Sequence, residues 1–279
     1  RPAMMHALGR AGFQQSYSYF TWRNTREELA EYLHEVTAVT PAYYRPNFFV
    51  NTPDILTEFL QFGGPAGFKI RAVLAALSSP MWGMYAGFEL FEHVARAGAE
   101  EYVDNEKYEF RPRDFEGAQD RGESLAPFIT RLNAIRRAHP ALQDLQNLTL
   151  HTADNEEILV FSKSRRYRPE GQRAAPAGVG PSGAVFPGVP DAEALAASLP
   201  GVADTLIVVV NCDPHAAREA TVSIDTQALD LRPQDLDAEG RFEVEDLITG
   251  TRWRWGEHNY VRLDPFVEPA HVLRIVRED

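Results

Sequence analysis

The chain has 279 residues, 44% of them apolar and 24% charged, which is enough for one large or two ordinary buried cores and excludes a wholly disordered protein. Its 40 acidic against 28 basic side chains leave a net charge of −12, which argues against nucleic-acid binding and suits a soluble cytoplasmic protein. One cysteine, Cys212, excludes an internal disulfide and a cysteine-ligated zinc, and no apolar run approaches the roughly 20 residues that span a membrane.

The chain opens Arg1-Pro2-Ala3-Met4-Met5, with neither an initiator methionine nor a signal peptide, as the interior of a longer protein would. Gln15-Ser-Tyr-Ser-Tyr-Phe-Thr-Trp22 has the aromatic and hydroxyl content of a strand. Thr25 and Glu28 form a capping-box pair ahead of a helix carrying Leu29, Tyr32, Leu33 and Val36 on one face. Asn47-Phe-Phe-Val50 is a second strand. Phe68–Leu77 is a helix that stops before Pro80, and Met81-Trp-Gly-Met-Tyr85 is a third strand. Leu125, Phe128, Ile129, Leu132 and Ile135 then line a long amphipathic helix ending at Pro140. This alternation is that of a β/α barrel or an open parallel sheet.

Beyond residue 144 the pattern changes to short strands: 157–161, 205–210, 219–224, 242–246 and 271–276. An antiparallel sandwich is the economical reading. The expected organisation is α/β followed by all-β, with residues 1–143 in the first part and 144–279 in the second. The Gly-, Pro- and Ala-rich stretch at about 165–200 reads as a mobile insertion between strands.

The segment Arg45-Pro-Asn-Phe-Phe-Val-Asn-Thr-Pro-Asp54 is the most informative. An apolar strand runs into a polar cluster, and in β/α barrels the chemistry lies at the carboxyl ends of the strands. Asp54 there can bind a sugar hydroxyl, a metal or a developing positive charge. It can equally be the N-cap of a helix beginning Ile55-Leu-Thr-Glu58. Tyr85 and Glu89 are weaker candidates on the third strand and the turn after it. Lys107 and Tyr108, in a later polar loop, could donate to hydroxyls or stack on a sugar ring. No phosphate-binding glycine loop, dinucleotide motif or HExxH is present, and the histidines have no metal-ligand spacing, so neither metal nor cofactor is expected.

The order Tyr17-Ser-Tyr-Phe-Thr-Trp-Arg-Asn24, Asn47-Phe-Phe-Val-Asn-Thr-Pro-Asp-Ile-Leu56 and Glu106-Lys-Tyr108 resembles the GlgE-type maltosyltransferases. These belong to the α-amylase superfamily (glycoside hydrolase family 13). Most amylases carry Asn-His-Asp where this chain has Thr52-Pro53-Asp54; the missing histidine matches the maltosyltransferase branch. The resemblance implies the C-terminal part of a (β/α)8 barrel, strands six to eight, followed by a β-sandwich domain. It implies transfer of maltosyl units from α-maltose 1-phosphate to α-1,4-glucan with retention. Of the family's three carboxylates, it assigns the transition-state stabiliser to Asp54, and it places the nucleophile and the acid/base ahead of Arg1, in the N-terminal remainder of the same enzyme. It also assigns Lys107 and Tyr108 to the non-reducing glucose of the donor, no cofactor, and a homodimer. Two other readings stay open: another α-amylase-superfamily enzyme, such as a trehalose synthase or a glucan hydrolase, and a non-catalytic carbohydrate-binding module.

Overall fold

The computed structural model describes residues 2–13, 15–105, 110–165 and 203–277. Helix α1 (Pro2–Arg10) leads into three short parallel strands, β1 (Gln15–Tyr17), β2 (Arg45–Phe49) and β3 (Trp82–Gly83), which lie side by side in chain order. Gln15 faces Arg45, and Phe48 faces Trp82. Each crossover is helical. Helix α2 (Arg26–His34) is started by the expected capping box: the Glu28 amide donates to Thr25 Oγ1 (3.3 Å) and the Thr25 amide donates back to Glu28 Oε2 (3.2 Å). Its apolar face buries Leu29, Tyr32 and Leu33 against the sheet. A single π-type turn, Glu35–Val39, carries the chain on towards β2.

After β2 come a one-turn helix α3 (Glu58–Phe62) and the central helix α4 (Gly64–Ser78). From Phe68 to Ser78 every residue of α4 but Lys69 is buried, the pattern of a helix packed on all sides. Helix α4 starts four residues earlier than its apolar run, because Pro65 is well placed in a first turn. Helices α5 (Phe115–Asp120) and α6 (Ala126–Ala138) follow β3, and Arg136 of α6 donates to the carbonyls of Ser79 (2.9 Å) and Pro80 (2.8 Å), tying α6 to the end of α4.

Two sequence expectations are corrected in this layer. The strand expected over Gln15–Trp22 ends at Tyr17, and Tyr19–Trp22 form a 3-10 turn. Ser18 starts that turn by accepting from the Phe20 amide and donating to the Asn47 carbonyl (3.0 Å). The aromatics that suggested a strand serve packing instead, with Phe20 stacked on Phe48 at 4.4 Å between ring centres. Met81–Tyr85 is likewise extended only at Trp82–Gly83.

The remaining chain forms one eight-stranded antiparallel sheet. Its strands are β4 (Leu148–Ala153), β5 (Ile158–Arg165), β6 (Asp204–Asn211), β7 (Arg218–Ser223), β8 (Phe242–Asp246), β9 (Arg252–Trp255), β10 (His258–Leu263) and β11 (Ala270–Ile275). They are ordered β10-β7-β4-β5-β6-β11-β8-β9. Five of these strands were expected; β4, β9 and β10 were not, because their faces are polar and their burial is partial. The two edge strands are consecutive in the chain and joined by Gly256-Glu257, so the sheet curls back on itself. Inside the curl lie Ile158, Val160, Ile207, Val209, Val244, Trp255, Val261 and Leu273. The alternate residues Leu159, Phe161, Leu206, Val208, Val210 and Val272 face the helices and join the core of the α/β layer. That double burial explains why β6 reads as an unbroken apolar run. The expected insertion at about 165–200 lies, but for Arg165, outside the described residues.

Lys163 of β5 is fully buried at the seam between the two layers, where its ammonium donates to the Asp144 carbonyl. Burial pushes its pKa down from 10.5 to about 7, with Arg136 adding to the depression. The folded chain therefore binds fewer protons here than the unfolded one, and this site's contribution to stability falls as pH drops from about 10 to about 7. Lys163→Met should remove that slope and raise the melting temperature at neutral pH, with a gain of up to about 4 kcal/mol. Melting curves of the two proteins at pH 7 and pH 9.5 check it: an equal difference at both values would show that the lysine is not the titrating group.

Candidate active site

The carboxyl ends of β1, β2 and β3 open onto one face, and three sets of hydrogen bonds fix the loops there. Behind β1, Thr21 Oγ1 donates to the Phe49 carbonyl (3.0 Å) and the Trp22 indole donates to Glu100 Oε2 (2.8 Å). Behind β2, Asn51 is fully buried. Its amide nitrogen donates to the Tyr102 hydroxyl (2.6 Å), and its oxygen accepts from the Tyr85 amide (2.8 Å). Asn51 thus couples the ends of β2 and β3, and the buried Tyr102 phenol is pushed up to about 12. Behind β3, Glu89 Oε2 accepts from the Gly87 amide (3.0 Å). Gly87 has φ +100°, and a Cβ there would collide with the Glu92 carboxylate.

Asp54 sits at the tip of a tight turn. Thr52 and Ile55 exchange both backbone hydrogen bonds (3.0 and 3.1 Å), and Pro53 supplies the fixed φ such turns favour. The far side of the turn is pinned by the 100–102 segment: the Tyr102 amide donates to the Pro53 carbonyl (3.4 Å) and the Leu56 amide to the Glu100 carbonyl. Asp54 is exposed on this doubly held turn. It is not a helix cap, because the next helix begins at Glu58 with Thr57 as its N-cap. The capping alternative left open by the sequence is therefore overturned. A carboxylate on a rigid turn beyond the middle of three parallel strands can accept from neighbouring hydroxyls, or face a positive charge, without reorganising.

Near Tyr102, Glu92 is clamped by Arg113 through two hydrogen bonds (2.8 and 3.1 Å), which hold the guanidinium pKa above its usual value. Arg111 lies 3.6 Å from Glu92 and 3.2 Å from Asp104. Glu92 and Arg111, with Phe91, His93, Val94, Tyr102 and Val103, line a cleft of about 190 Å³. Lys107 and Tyr108 lie outside the described residues. Of the two weaker candidates, Glu89 is engaged by backbone and Tyr85 is held through its own amide, so both shape the loop. Sequence reasoning did not single out Asn51, Tyr102, Glu92 or Arg113. Asn51 was the one with a signal, a polar side chain directly after the buried Phe48-Phe49-Val50 run. No cluster of His, Cys, Asp and Glu among the described residues could hold a metal.

The family described as "GLGE, C-terminal" matches residues 194–275. Over 274 residues the chain is 48% identical to an α-1,4-glucan:maltose-1-phosphate maltosyltransferase of Corynebacterium glutamicum, covering 98% of this chain and 35% of that protein. It is 46% identical to a second such protein, from Streptomyces coelicolor, with 99% and 35% covered. The protein of that name from Mycobacterium tuberculosis is 45% identical, with 98% and 34% covered.

The chain belongs to the GlgE-type maltosyltransferases. It spans about a third of the length of these relatives. Solved structures support the fold of this family portion. An α-amylase from Geobacillus thermoleovorans superposes with a TM-score of 0.60 at 12% identity, over 100% of this chain and 52% of that one. An Anoxybacillus α-amylase gives 0.61 at 14% identity, over 100% and 50%. The three parallel strands with their helices are thus the C-terminal part of an α-amylase-type (β/α)8 barrel, and the curled antiparallel sheet is the β-rich domain that follows. An α/β layer of this kind also sets the chain apart from a pure sandwich module.

Proposed function

We propose that this chain supplies the carboxyl-terminal share of the active site of a retaining maltosyltransferase. In this reading residues 1–143 are barrel and 144–279 the C-terminal β domain. The donor is α-maltose 1-phosphate, the acceptor the non-reducing end of an α-1,4-glucan, and phosphate leaves. The observation that supports it most is Asp54: an exposed carboxylate on a turn held from both sides, at the end of the middle strand, in a chain 48% identical to a protein of that name.

An Asp and a Glu from barrel strands ahead of β1 act as nucleophile and acid/base. The Asp attacks the anomeric carbon and expels phosphate, forming a β-maltosyl enzyme; the Glu then deprotonates the glucan 4-hydroxyl, which attacks in turn. Asp54 accepts hydrogen bonds from the hydroxyls of the reacting ring and tightens on it as the ring flattens and gains positive charge. Stronger binding in the transition state than in the ground state is what raises the rate. Lys107 and Tyr108 hold the outer glucose of the donor. Assembly as a homodimer rests on the family resemblance, and placement in the cytoplasm on the acidic composition and single cysteine.

The test uses enzyme that includes the upstream barrel, supplied with α-maltose 1-phosphate and maltotetraose. Phosphate release with products longer by two glucoses supports the reading. Trehalose formation or shortened glucan would replace it with another superfamily activity. The 279-residue chain alone should release no phosphate, and turnover by it would show that the chain holds its own nucleophile.

A further inference from the structure

A second surface lies where the start of α4 meets the loops of the β domain. It is a trough of about 390 Å³. One wall is Phe62, the last residue of α3, with Gly63-Gly64-Pro65 behind it; the other is Pro265-Phe266 from the β10–β11 loop, with Pro214 and His215 from the β6–β7 loop. The two phenylalanines are 71% and 75% exposed, on separate elements, and each stands at an edge of the same trough. Large apolar side chains left in water on facing walls mark a binding surface more often than chance.

The loops that present them are prebuilt. The Phe266 amide donates to Asp264 Oδ1 (3.1 Å) and the Val267 amide to the Asp264 carbonyl (3.0 Å). Lys69 reaches across from α4 to the Val267 carbonyl (3.0 Å) and Glu268 (3.1 Å). The His215 amide donates to Asp213, itself bonded to Arg218 at 2.6 Å. Gly63 lets the walls approach: a Cβ there would lie 3.4 Å from the Pro214 side chain. Three prolines stiffen the lining. The volume is that of a small-molecule site, which ordinarily falls between about 300 and 1,000 Å³.

We propose that this trough binds a stretch of α-1,4-glucan away from the reacting end. The inference rests on the proposed function for its choice of polymer. Glucose rings present C–H faces that stack on aromatic side chains and hydroxyls that bond at the rim, here to the imidazole of His215 and the ammonium of Lys69. Net charge argues against nucleic acid. Its position favours a long acceptor. Phe62 ends helix α3, the first helix after the turn that carries Asp54, so the trough lies on the side of the barrel where β2 ends. A polymer held there keeps its chain ends near the active site at raised effective concentration.

The test uses full-length enzyme and the double variant Phe62→Ser/Phe266→Ser, electrophoresed through native gels with and without glycogen. Glycogen should retard the unaltered enzyme, and the double variant should lose at least about tenfold in apparent affinity. Transfer to maltotetraose, too short to reach both sites, should be unchanged, which also shows that the variant folds. A double variant retarded as strongly as the parent, or a parent that glycogen does not retard, would overturn the trough. The maltotetraose assay reports separately on the proposed activity: its absence alongside specific retardation would remove the transferase reading and leave the glucan site standing.

Discussion

Asp54→Asn in the full-length enzyme is expected to lower kcat by about 10²–10³, roughly 3–4 kcal/mol in the barrier, while the protein melts as before. The substitution keeps the side chain's size and its ability to accept one hydrogen bond. The turn that presents it is closed by backbone hydrogen bonds between Thr52 and Ile55. Helix α3 begins at Glu58, with Thr57 in the N-cap position, so no helix start depends on residue 54. What changes, under the proposed function, is the charge facing the ring as it becomes cationic. Since ground-state contacts largely survive, KM should move less than kcat. Lys107→Ala is the comparison: under the proposed function it acts one sugar away from the bond that breaks, and its loss should mainly raise KM. Retention of more than about a tenth of parental turnover by Asp54→Asn would remove Asp54 from the catalytic machinery.

The part of this site that could be read in the sequence is the part written locally. Asp54 stands out because an apolar strand ends beside it, and the Thr25–Glu28 capping box is a four-residue pattern that needs no tertiary knowledge. The residues that hold Asp54 in place are joined across long loops instead. Asn51 meets Tyr102, and Trp22 meets Glu100, only once the barrel strands have brought their ends together. No periodicity announces such pairs.

The same division runs through the fold. Strands β5 and β6 are apolar on both faces because helices cover one and the curled sheet the other, so they declare themselves. Strands β9 and β10 are edge strands with exposed Arg252, Arg254, Tyr260 and Arg262, as edges that avoid pairing with other chains must be, and their composition hides them. The aromatic run Tyr17–Trp22 misleads for a related reason. Its rings are required by the core and the loop, and the backbone that best delivers them is a turn.

The largest loss of stability is expected from Arg71→Ala. Arg71 lies on α4 with 1% of its surface exposed, its guanidinium 4.0 Å above the Phe20 ring. It donates to the carbonyls of Phe20 (2.7 Å) and Arg23, which end the turn after β1. Burial pushes its pKa down to about 9, so it remains charged at neutral pH. The nearby Cys212 thiol, pushed up to about 12 by its own burial, stays neutral and offers no counter-charge. The cation is thus solvated by two backbone carbonyls and an aromatic face, and those carbonyls have the guanidinium in place of water. Alanine would leave a cavity, with the buried Phe20 carbonyl and the part-buried Arg23 carbonyl both losing these donors, a combination expected to cost about 3–5 kcal/mol. Arg71→Met separates the contributions. Methionine fills most of the space and removes the desolvated charge, yet still strips the carbonyls, so its stability should fall between the parent and the alanine variant. Amide exchange should quicken across Ser18–Asn24 in both variants and stay unchanged in β6. A methionine variant as stable as the parent, with exchange in that turn unaltered, would show that the guanidinium serves only to fill space.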